Sequence, residues 1–419
     1  MRSLVRRWTL DEAEARPVAR ALARIDAVDD VLHAWLWVDR GDDRGVDRGA
    51  DGGPGPLAGV PFAVKDVIDL AGVPTRCGSG ARADAPPAAA DADVVTRLRA
   101  LGAVPVGKTV TTEFAAFEPG PTRNPHDPTR TPGGSSSGSA AAVAAGTVPL
   151  ALGTQTAGST VRPAAYCGIA GYATPRAVLA TTGIAPLAPS LDTVGFFAAD
   201  VAGLARVRAA LDGRDPLAVE PPGRLWCWDG GGAADPGMVA ALADAAGRAR
   251  GEGVDVTGLR GVDTAHLAVD HRTVLAHEAA RALPEPHLLA PGTAALVVEG
   301  RAVGDAAYRA ALARGAVARE RVLALLADRP AILAPAAVGV APEASTGTGD
   351  PAMSTPWHLL GLPALAVPGL CDAAGLPLGL ALLGHPEREH ELLACGRWLE
   401  SLLTPAPDAA GLPHDGEAG

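Results

Sequence analysis

Hydrophobic residues along the chain follow two patterns, a helical spacing and short continuous runs. Val18, Leu22 and Ile25 show the helical spacing near the start of the chain, and 92–101 repeats it. Short apolar runs beside glycine are typical of buried strands. The pattern predicts further helices over 139–146, 238–250, 271–281, 306–327 and 387–402, and strands over 35–38, 59–65, 103–106, 148–152 and 331–335. A repeated succession of helix and strand indicates an α/β sheet protein.

Two loops made of small residues flank the predicted helix over 139–146. The first reads GGSSSG at 133–138 and the second reads TQTAGS at 154–159. Glycine lets backbone N–H groups approach a ligand closely, so loops of this kind are typical of a reactive site. A Gly/Ser-rich stretch is more often a flexible linker, but the helix and strand that follow disfavour that interpretation. A phosphate-binding loop is disfavoured because Ser139 stands where such a loop needs lysine.

Lys65 stands at the end of an apolar strand, and alone it would be interpreted as a surface residue whose amine reaches solvent. The two serine loops change that interpretation, because a serine hydroxyl needs an adjacent base before it can attack. Burial lowers the pKa of a lysine from about 10.4, and a neutral Lys65 could then accept a proton. The neighbouring Asp66 is predicted either to support Lys65 or to act as a simple cap.

Three segments in chain order resemble the motifs of the amidase-signature family: GVPFAVKD at 59–66, GGSSSG at 133–138 and GTQTAGS at 153–159. The pattern is most similar to the malonamidase-like branch, with which the chain shares NPH, GGSSSGSAAAV, GTQT, RPAAYCG and LDTVG. The resemblance extends over residues 57–402. It implies that Ser159 is the nucleophile, that Ser135 relays a proton and that Lys65 is the base.

The resemblance also implies how a substrate would be held. It implies a cis peptide bond between Gly134 and Ser135, and substrate binding by Arg162, Gly134 and Ser136. The negative oxygen formed in the reaction would be bound by the backbone N–H groups of Thr156, Ala157, Gly158 and Ser159. Arg162 follows Ser159 by three residues, as in the malonamidase-like branch, where this arginine holds a substrate carboxylate. The alternative for Arg162 is that it braces nearby backbone carbonyls.

The fold implied by the resemblance is a single α/β domain of the amidase-signature type. Its mixed, twisted central β-sheet is expected to be covered by helices on both faces. The catalytic domain is predicted over 57–403. Residues 1–56 are predicted to form a helical segment and a loop that pack on this core, and 404–419 are predicted to form a disordered tail.

Composition and charge exclude several other classes of protein. The formal net charge of −11 disfavours nucleic acid as a partner. No run reaches the ~18 apolar residues of a membrane span, and 1–15 lacks the apolar core of a signal peptide, so a cytoplasmic protein without membrane contact is expected. The five cysteines, without a C-x-x-C pair, are expected to be buried free thiols. The ten histidines form no H-E-x-x-H motif, so no metal or other cofactor is implied.

The sequence thus predicts hydrolysis of the carbon–nitrogen bond of a small-molecule amide through an acyl-serine intermediate. A carboxylate-bearing amide such as malonamate is the suggested substrate, and a homodimer is left open. A biosynthetic acyl-transfer or amide-forming enzyme is an alternative, because it would share the acyl-serine. A second alternative is an amidotransferase A-type subunit, which releases ammonia from glutamine for a tRNA-bound partner. The chain length, the acidic charge and Gln155 in place of that branch's usual aspartate count against it.

Overall fold

The computed structural model describes residues 4–12, 17–41 and 53–404. Part of the predicted N-terminal segment, and all of the predicted tail except its first residue, lie outside these residues. Buried residues from Trp8 to Leu403 belong to one continuous hydrophobic core. A single α/β fold is therefore confirmed, while the predicted domain boundaries stay predictions.

Eleven strands form one mixed sheet in the described part of the chain. They are β1 Trp35–Val38, β2 Pro61–Lys65, β3 Val104–Thr109, β4 Leu150–Gln155, β5 Ala170–Ala173, β6 Thr193–Ala198, β7 Arg224–Cys227, β8 Asp255–Gly258, β9 Ala331–Pro335, β10 Ala364–Cys371 and β11 Pro377–Gly384. Their order across the sheet is β1-β3-β2-β4-β6-β5-β10-β11-β9-β7-β8. Strands β3 and β4 both run parallel to β2, whereas β6 is antiparallel to β4.

Helices flank this sheet. They are α1 Pro17–Leu32, α2 Asp93–Ala100, α3 Ser137–Ala144, α4 Val161–Cys167, α5 Val201–Leu211, α6 Pro236–Gly251, α7 Thr264–Ala282, α8 Pro291–Ala302, α9 Asp305–Leu325, α10 Thr355–Leu359 and α11 Glu389–Leu403. Every residue of α3 and of α4 is buried. The small side chains of α3, mostly alanine, let the helix lie close to the sheet, because they add little bulk between the two backbones.

The parallel strands β2 and β4 bring the site residues to one edge of the sheet. Their register pairs Phe62 with Leu150 and Val64 with Leu152, so both strands end at nearly the same level. Lys65 is the last residue of β2, and Thr154 is the last but one of β4. The carboxyl ends of parallel strands meet at the same edge, which is where ligands bind in sheets of this kind.

Several predicted elements have different boundaries in the structure. Helix α3 begins at Ser137 instead of 139, and β4 covers 150–155 instead of 148–152. Helix α7 begins at Thr264, seven residues before the predicted start at 271. Its start is fixed by Asp263, whose side chain accepts a hydrogen bond from the backbone N–H of His266 at 3.0 Å. The polar residues in the first turns of α7 hid the beginning of this helix from a prediction based on hydrophobic spacing.

The five cysteines are free thiols, but the expectation that all are buried is wrong for two of them. Cys371 is exposed and Cys227 is half-buried, because they are the last residues of β10 and β7. Within the described residues, no helix has the length and apolar character needed to cross a membrane.

Candidate active site

Lys65 contacts two hydroxyl groups at the end of the sheet. Its Nζ donates to Ser135 Oγ at 2.7 Å and to Thr154 Oγ1 at 2.7 Å. The side chain of Lys65 is 0% exposed. Burial lowers its pKa to about 7, against a smaller opposing effect of the Asp192 carboxylate. The pKa of Asp192 is itself raised to about 6, again chiefly by burial. A lysine with such a pKa is substantially neutral at neutral pH and can accept a proton.

The peptide bond between Gly134 and Ser135 is cis, as predicted. Gly134 has no space for a side chain, because a Cβ there would lie 2.8 Å from Thr348 Cγ2 and 3.1 Å from Thr112 Cγ2. On the other side of this bond, the backbone carbonyl of Ser135 accepts from the N–H of Thr112 at 3.2 Å. The surrounding chain therefore fixes the backbone from which Ser135 Oγ reaches Lys65.

Ser136, which was predicted to bind substrate, is fully buried beside β4. Its Oγ donates to the backbone carbonyl of Thr154 at 3.3 Å and accepts from the N–H of Thr154 at 3.4 Å. These contacts brace the strand residue whose hydroxyl group contacts Lys65. A substrate-binding role of Ser136 stays a prediction.

Residues 156–160 connect β4 to α4. We call 156–159, which ends at the predicted nucleophile Ser159, the nucleophile loop, and buried polar side chains hold it in place. Thr156 Oγ1 donates to Asp192 Oδ1 at 2.6 Å, and the ring of His271 lies 2.8 Å from the Thr156 carbonyl oxygen. The side-chain oxygen of Gln155 accepts from the N–H groups of Thr160 and Val161 at 3.1 and 3.2 Å. The contributions of Asp192 and His271 were not predicted from the sequence, although Asp192 lies in the LDTVG segment that resembles the family.

Four successive backbone N–H groups of the nucleophile loop have no acceptor. Among the described residues, these are the N–H groups of Thr156, Ala157, Gly158 and Ser159, the four predicted members. Protein partners engage only the carbonyl and the hydroxyl of Thr156. Free N–H groups beside a nucleophile can stabilise the negative charge of a tetrahedral intermediate.

Arg162 lies behind the nucleophile loop and is only 5% exposed. Its Nε donates to the carbonyl of Thr348 at 2.9 Å, and its Nη2 donates to the carbonyl of Gly134 at 2.8 Å. Arg162 thus braces the cis peptide, as the alternative interpretation expected. Its Nη1, however, has no hydrogen-bond partner among the described residues, and lies 3.2 Å from where a Cβ of Gly158 would stand. One donor of Arg162 therefore remains available beside the loop.

The described residues contain no group of three or more histidine, cysteine, aspartate or glutamate side chains arranged to hold a metal ion. The two buried histidines near the loop, His271 and His358, instead contact backbone carbonyls. Burial lowers the pKa of His271 to about 4 and that of His358 to about 3, so both imidazoles are neutral.

The chain belongs to the amidase family, also called the amidase-signature family. The family model described as Amidase matches residues 16–224. The glutamyl-tRNA(Gln) amidotransferase A subunit from Synechococcus sp. (strain WH7803) is 31% identical, with 94% of this chain and 95% of that protein covered. A solved structure of an amidase superposes with a TM-score of 0.83 at 29% identity, covering 93% of this chain and 96% of that one.

Other relatives align over shorter stretches. The AtzE subunit of 1-carboxybiuret hydrolase from Pseudomonas sp. (strain ADP) is 45% identical over 208 residues, which are 48% of this chain and 42% of that protein. The alignments at 42–49% identity span only about a third to a half of the curated relatives' length. These relatives are mainly amidotransferase A subunits and do not single out the malonamidase-like branch that the motif pattern suggested.

Proposed function

We propose that this protein hydrolyses the carbon–nitrogen bond of a small amide through an acyl intermediate on Ser159. The observation that carries the proposal is the fully buried Lys65 amine, 2.7 Å from Ser135 Oγ and with its pKa lowered to about 7. A buried neutral amine against a serine hydroxyl is a base in contact with its proton donor. Family membership adds support, since other members are named as amidases or hydrolases.

The proton path runs through both serines. Neutral Lys65 accepts the proton of Ser135 Oγ, and Ser135 Oγ accepts the proton of Ser159 Oγ as the latter attacks the amide carbonyl carbon. The carbon–nitrogen bond then breaks, and the leaving amine takes a proton back through Ser135. Water, deprotonated by the same pair, attacks the acyl-serine and releases the acid. All three groups come from one chain, so the proposed chemistry needs no residue of a second subunit.

The negative oxygen of the tetrahedral intermediate would lie against the nucleophile loop. The free N–H groups of Thr156, Ala157, Gly158 and Ser159 are the donors that the loop offers there. Each donor of this kind is worth a few kcal/mol, because it is aimed at charge that develops only during the reaction. Gly158 suits this geometry, since a Cβ there would make tight contacts at 3.2 Å with both Ser354 Cβ and Arg162 Nη1.

The substrate class follows from Arg162. Its Nη1 is a buried cationic donor without a partner among the described residues, so a carboxylate on the substrate would satisfy it. Because Nε and Nη2 are already engaged, the contact would be through one nitrogen and not the bidentate pair expected from the sequence. The name of the 1-carboxybiuret hydrolase relative fits a carboxylated amide. Malonamate in particular has no support among the relatives.

A mass-spectrometric screen of small amides tests the proposed reaction. Product should form with the wild type and disappear with Ser159→Ala, Ser135→Ala and Lys65→Ala. If Ser135→Ala kept most of the activity, the relay would be wrong. Arg162→Gln should then lose more turnover on a carboxylated amide than on its neutral isostere. Equal loss on both, with lower thermal stability, would make Arg162 a brace only.

A second candidate is a glutamine-hydrolysing A-type subunit, favoured by the full-length relative from Synechococcus sp. (strain WH7803). Both functions use the same acyl-serine, so the serine variants do not separate them. Ammonia release from glutamine separates the two candidates. The second candidate predicts this release, and the first predicts turnover of small amides in preference to glutamine.

A further inference from the structure

Gln155 joins the two ends of the nucleophile loop. It is the last residue of β4, and its side chain reaches past residues 156–159 to the start of α4. Its Oε1 accepts from the N–H of Thr160 at 3.1 Å and from the N–H of Val161 at 3.2 Å. These N–H groups directly follow Ser159. One side-chain oxygen therefore ties the end of the strand to the start of α4, with the nucleophile between them.

His358 holds the other end of the Gln155 side chain. On α10, its Nδ1 lies 3.3 Å from Gln155 Nε2, and its Nε2 lies 2.8 Å from the carbonyl oxygen of Leu191. A carbonyl can only accept, so Nε2 carries the proton. The Gln155 oxygen faces two N–H groups, so its amide nitrogen faces the ring and donates to Nδ1. These partners fix both the amide orientation and the imidazole tautomer.

From this geometry we infer that Gln155 and His358 are positioning residues, which hold Ser159 for attack through a neutral amide–imidazole pair. The inference rests on the proposed function, because the position of the loop matters to catalysis only if Ser159 is the nucleophile. The pair continues to the segment of Leu191, whose neighbour Asp192 accepts from Thr156 Oγ1. Buried polar groups thus hold the loop at both of its ends.

The pair requires an amide at residue 155, because a carboxylate has no hydrogen to donate to a neutral imidazole. A carboxylate there would pair with His358 only if Nδ1 also gained a proton. The other ionisable groups that face His358 oppose this: Arg176 donates to its backbone carbonyl at 3.2 Å, and the His271 ring centroid lies 6.4 Å away. The introduced carboxylate would attract the proton, so the pair would form at low pH and break as the pH rises.

The experiment measures the rate at which a small fluorophosphonate probe modifies Ser159, which needs no knowledge of the substrate. Gln155→Glu should slow labelling roughly 10²-fold at pH 8, the cost of a misplaced nucleophile. The loss should shrink at pH 5.5, where His358 can hold the second proton. His358→Phe should slow labelling at both pH values. His358→Asn keeps an acceptor for the Gln155 amide and should lose only about tenfold, the worth of one hydrogen bond.

His277→Phe is the matched control, because this buried imidazole also bonds a backbone carbonyl, that of Val303 at 3.1 Å, away from the loop. It should leave the labelling rate unchanged even if it lowers the melting temperature. The inference is overturned if Gln155→Glu labels like the wild type at pH 8, or if its loss is the same at both pH values. It is also overturned if His277→Phe slows labelling as much as His358→Phe. Failure of the wild type to label at Ser159 would instead defeat the proposed function, and the inference with it.

Discussion

Two buried lysines lie at the ends of the neighbouring strands β2 and β3, and we propose that only one of them acts as a base. Lys65 and Lys108 are the only lysines in the sequence, since every other residue of the 36 Lys+Arg is arginine. Lys65 is 0% exposed and Lys108 is 1% exposed. Burial lowers the pKa of both amines. The two sites therefore differ in their partners and not in their access to water.

Among the described residues, a carboxylate lies within ion-pair distance of Lys108, and none does so for Lys65. Lys108 Nζ lies 3.2 Å from Asp66 Oδ1 and also donates to the carbonyl of Ile68 and to Thr75 Oγ1. Asp66 thus supports Lys108 instead of Lys65, which the sequence left open. Within the part of the chain that the structure describes, Lys65 donates to the hydroxyl groups of Ser135 and Thr154. Burial makes a lysine a base near neutral pH only where no adjacent carboxylate stabilises its charge.

Replacing Lys65 should lower the activity of the protein and change its stability little. Lys65→Met should lower kcat roughly 10²–10⁴-fold, the usual worth of a positioned base, because among the described residues Lys65 is the hydrogen-bond partner of Ser135 Oγ. The free energy of unfolding should fall little, since burial of this amine is itself unfavourable. The measurement is amide turnover, with a urea titration on the same sample. Retained turnover would remove Lys65 as the base.

Replacing Lys108 should lower the stability of the protein and change its activity little. Lys108→Met leaves the Asp66 carboxylate buried without its cation, which should lower the free energy of unfolding by roughly 3–5 kcal/mol. Folded Lys108→Met should keep most of its turnover. The double variant with Asp66→Asn should recover part of the loss, because it removes the unpaired charge. Equal free energies of unfolding in the single and double variants would contradict the pairing of Lys108 with Asp66.

Giving Lys65 a carboxylate should make it resemble Lys108. In the wild type, kcat/KM should rise with pH through about 7, because only the neutral amine accepts a proton. Thr154→Asp places a carboxylate where Lys65 now has a hydroxyl partner, and should raise this midpoint by about 1–3 pH units. Activity at pH 7 falls accordingly and returns at higher pH. An unchanged midpoint would show that the rise of kcat/KM with pH reports the titration of another group.

The smallest expected effect is the loss of the hydroxyl group alone. Thr154→Val removes one of the two hydrogen bonds of Lys65 without adding charge, and should lower kcat by about tenfold or less. Thr109→Val is the control, because Thr109 Oγ1 is equally buried at the end of β3 but contacts Ser139 Oγ at 2.8 Å. The control should keep wild-type kcat. Equal losses in both variants would point to strand packing and not to Lys65.

The candidate catalytic groups could be proposed from the sequence because three local motifs carry them, and their roles stay predictions. The helices and strands with regular spacing were also predicted: the bounds of β9 match, and the ends of α9 differ by one and two residues. The support of the nucleophile loop could not be predicted. His358 lies 203 residues from Gln155 along the chain, and its own segment of the sequence shows no feature that indicates a polar partner. Such contacts depend on how distant segments meet at the end of the sheet.

The most direct test of the central claim is a titration of the two lysine amines. With lysine as the only labelled residue type, a carbon–proton NMR spectrum at the Cε position should show two signals. One should titrate with a midpoint of about 7 and be absent in Lys65→Met. The other should keep the shift of a charged amine where the first is half-titrated, and be absent in Lys108→Met. A Lys65 signal that stays charged from pH 5 to pH 9 would contradict the account.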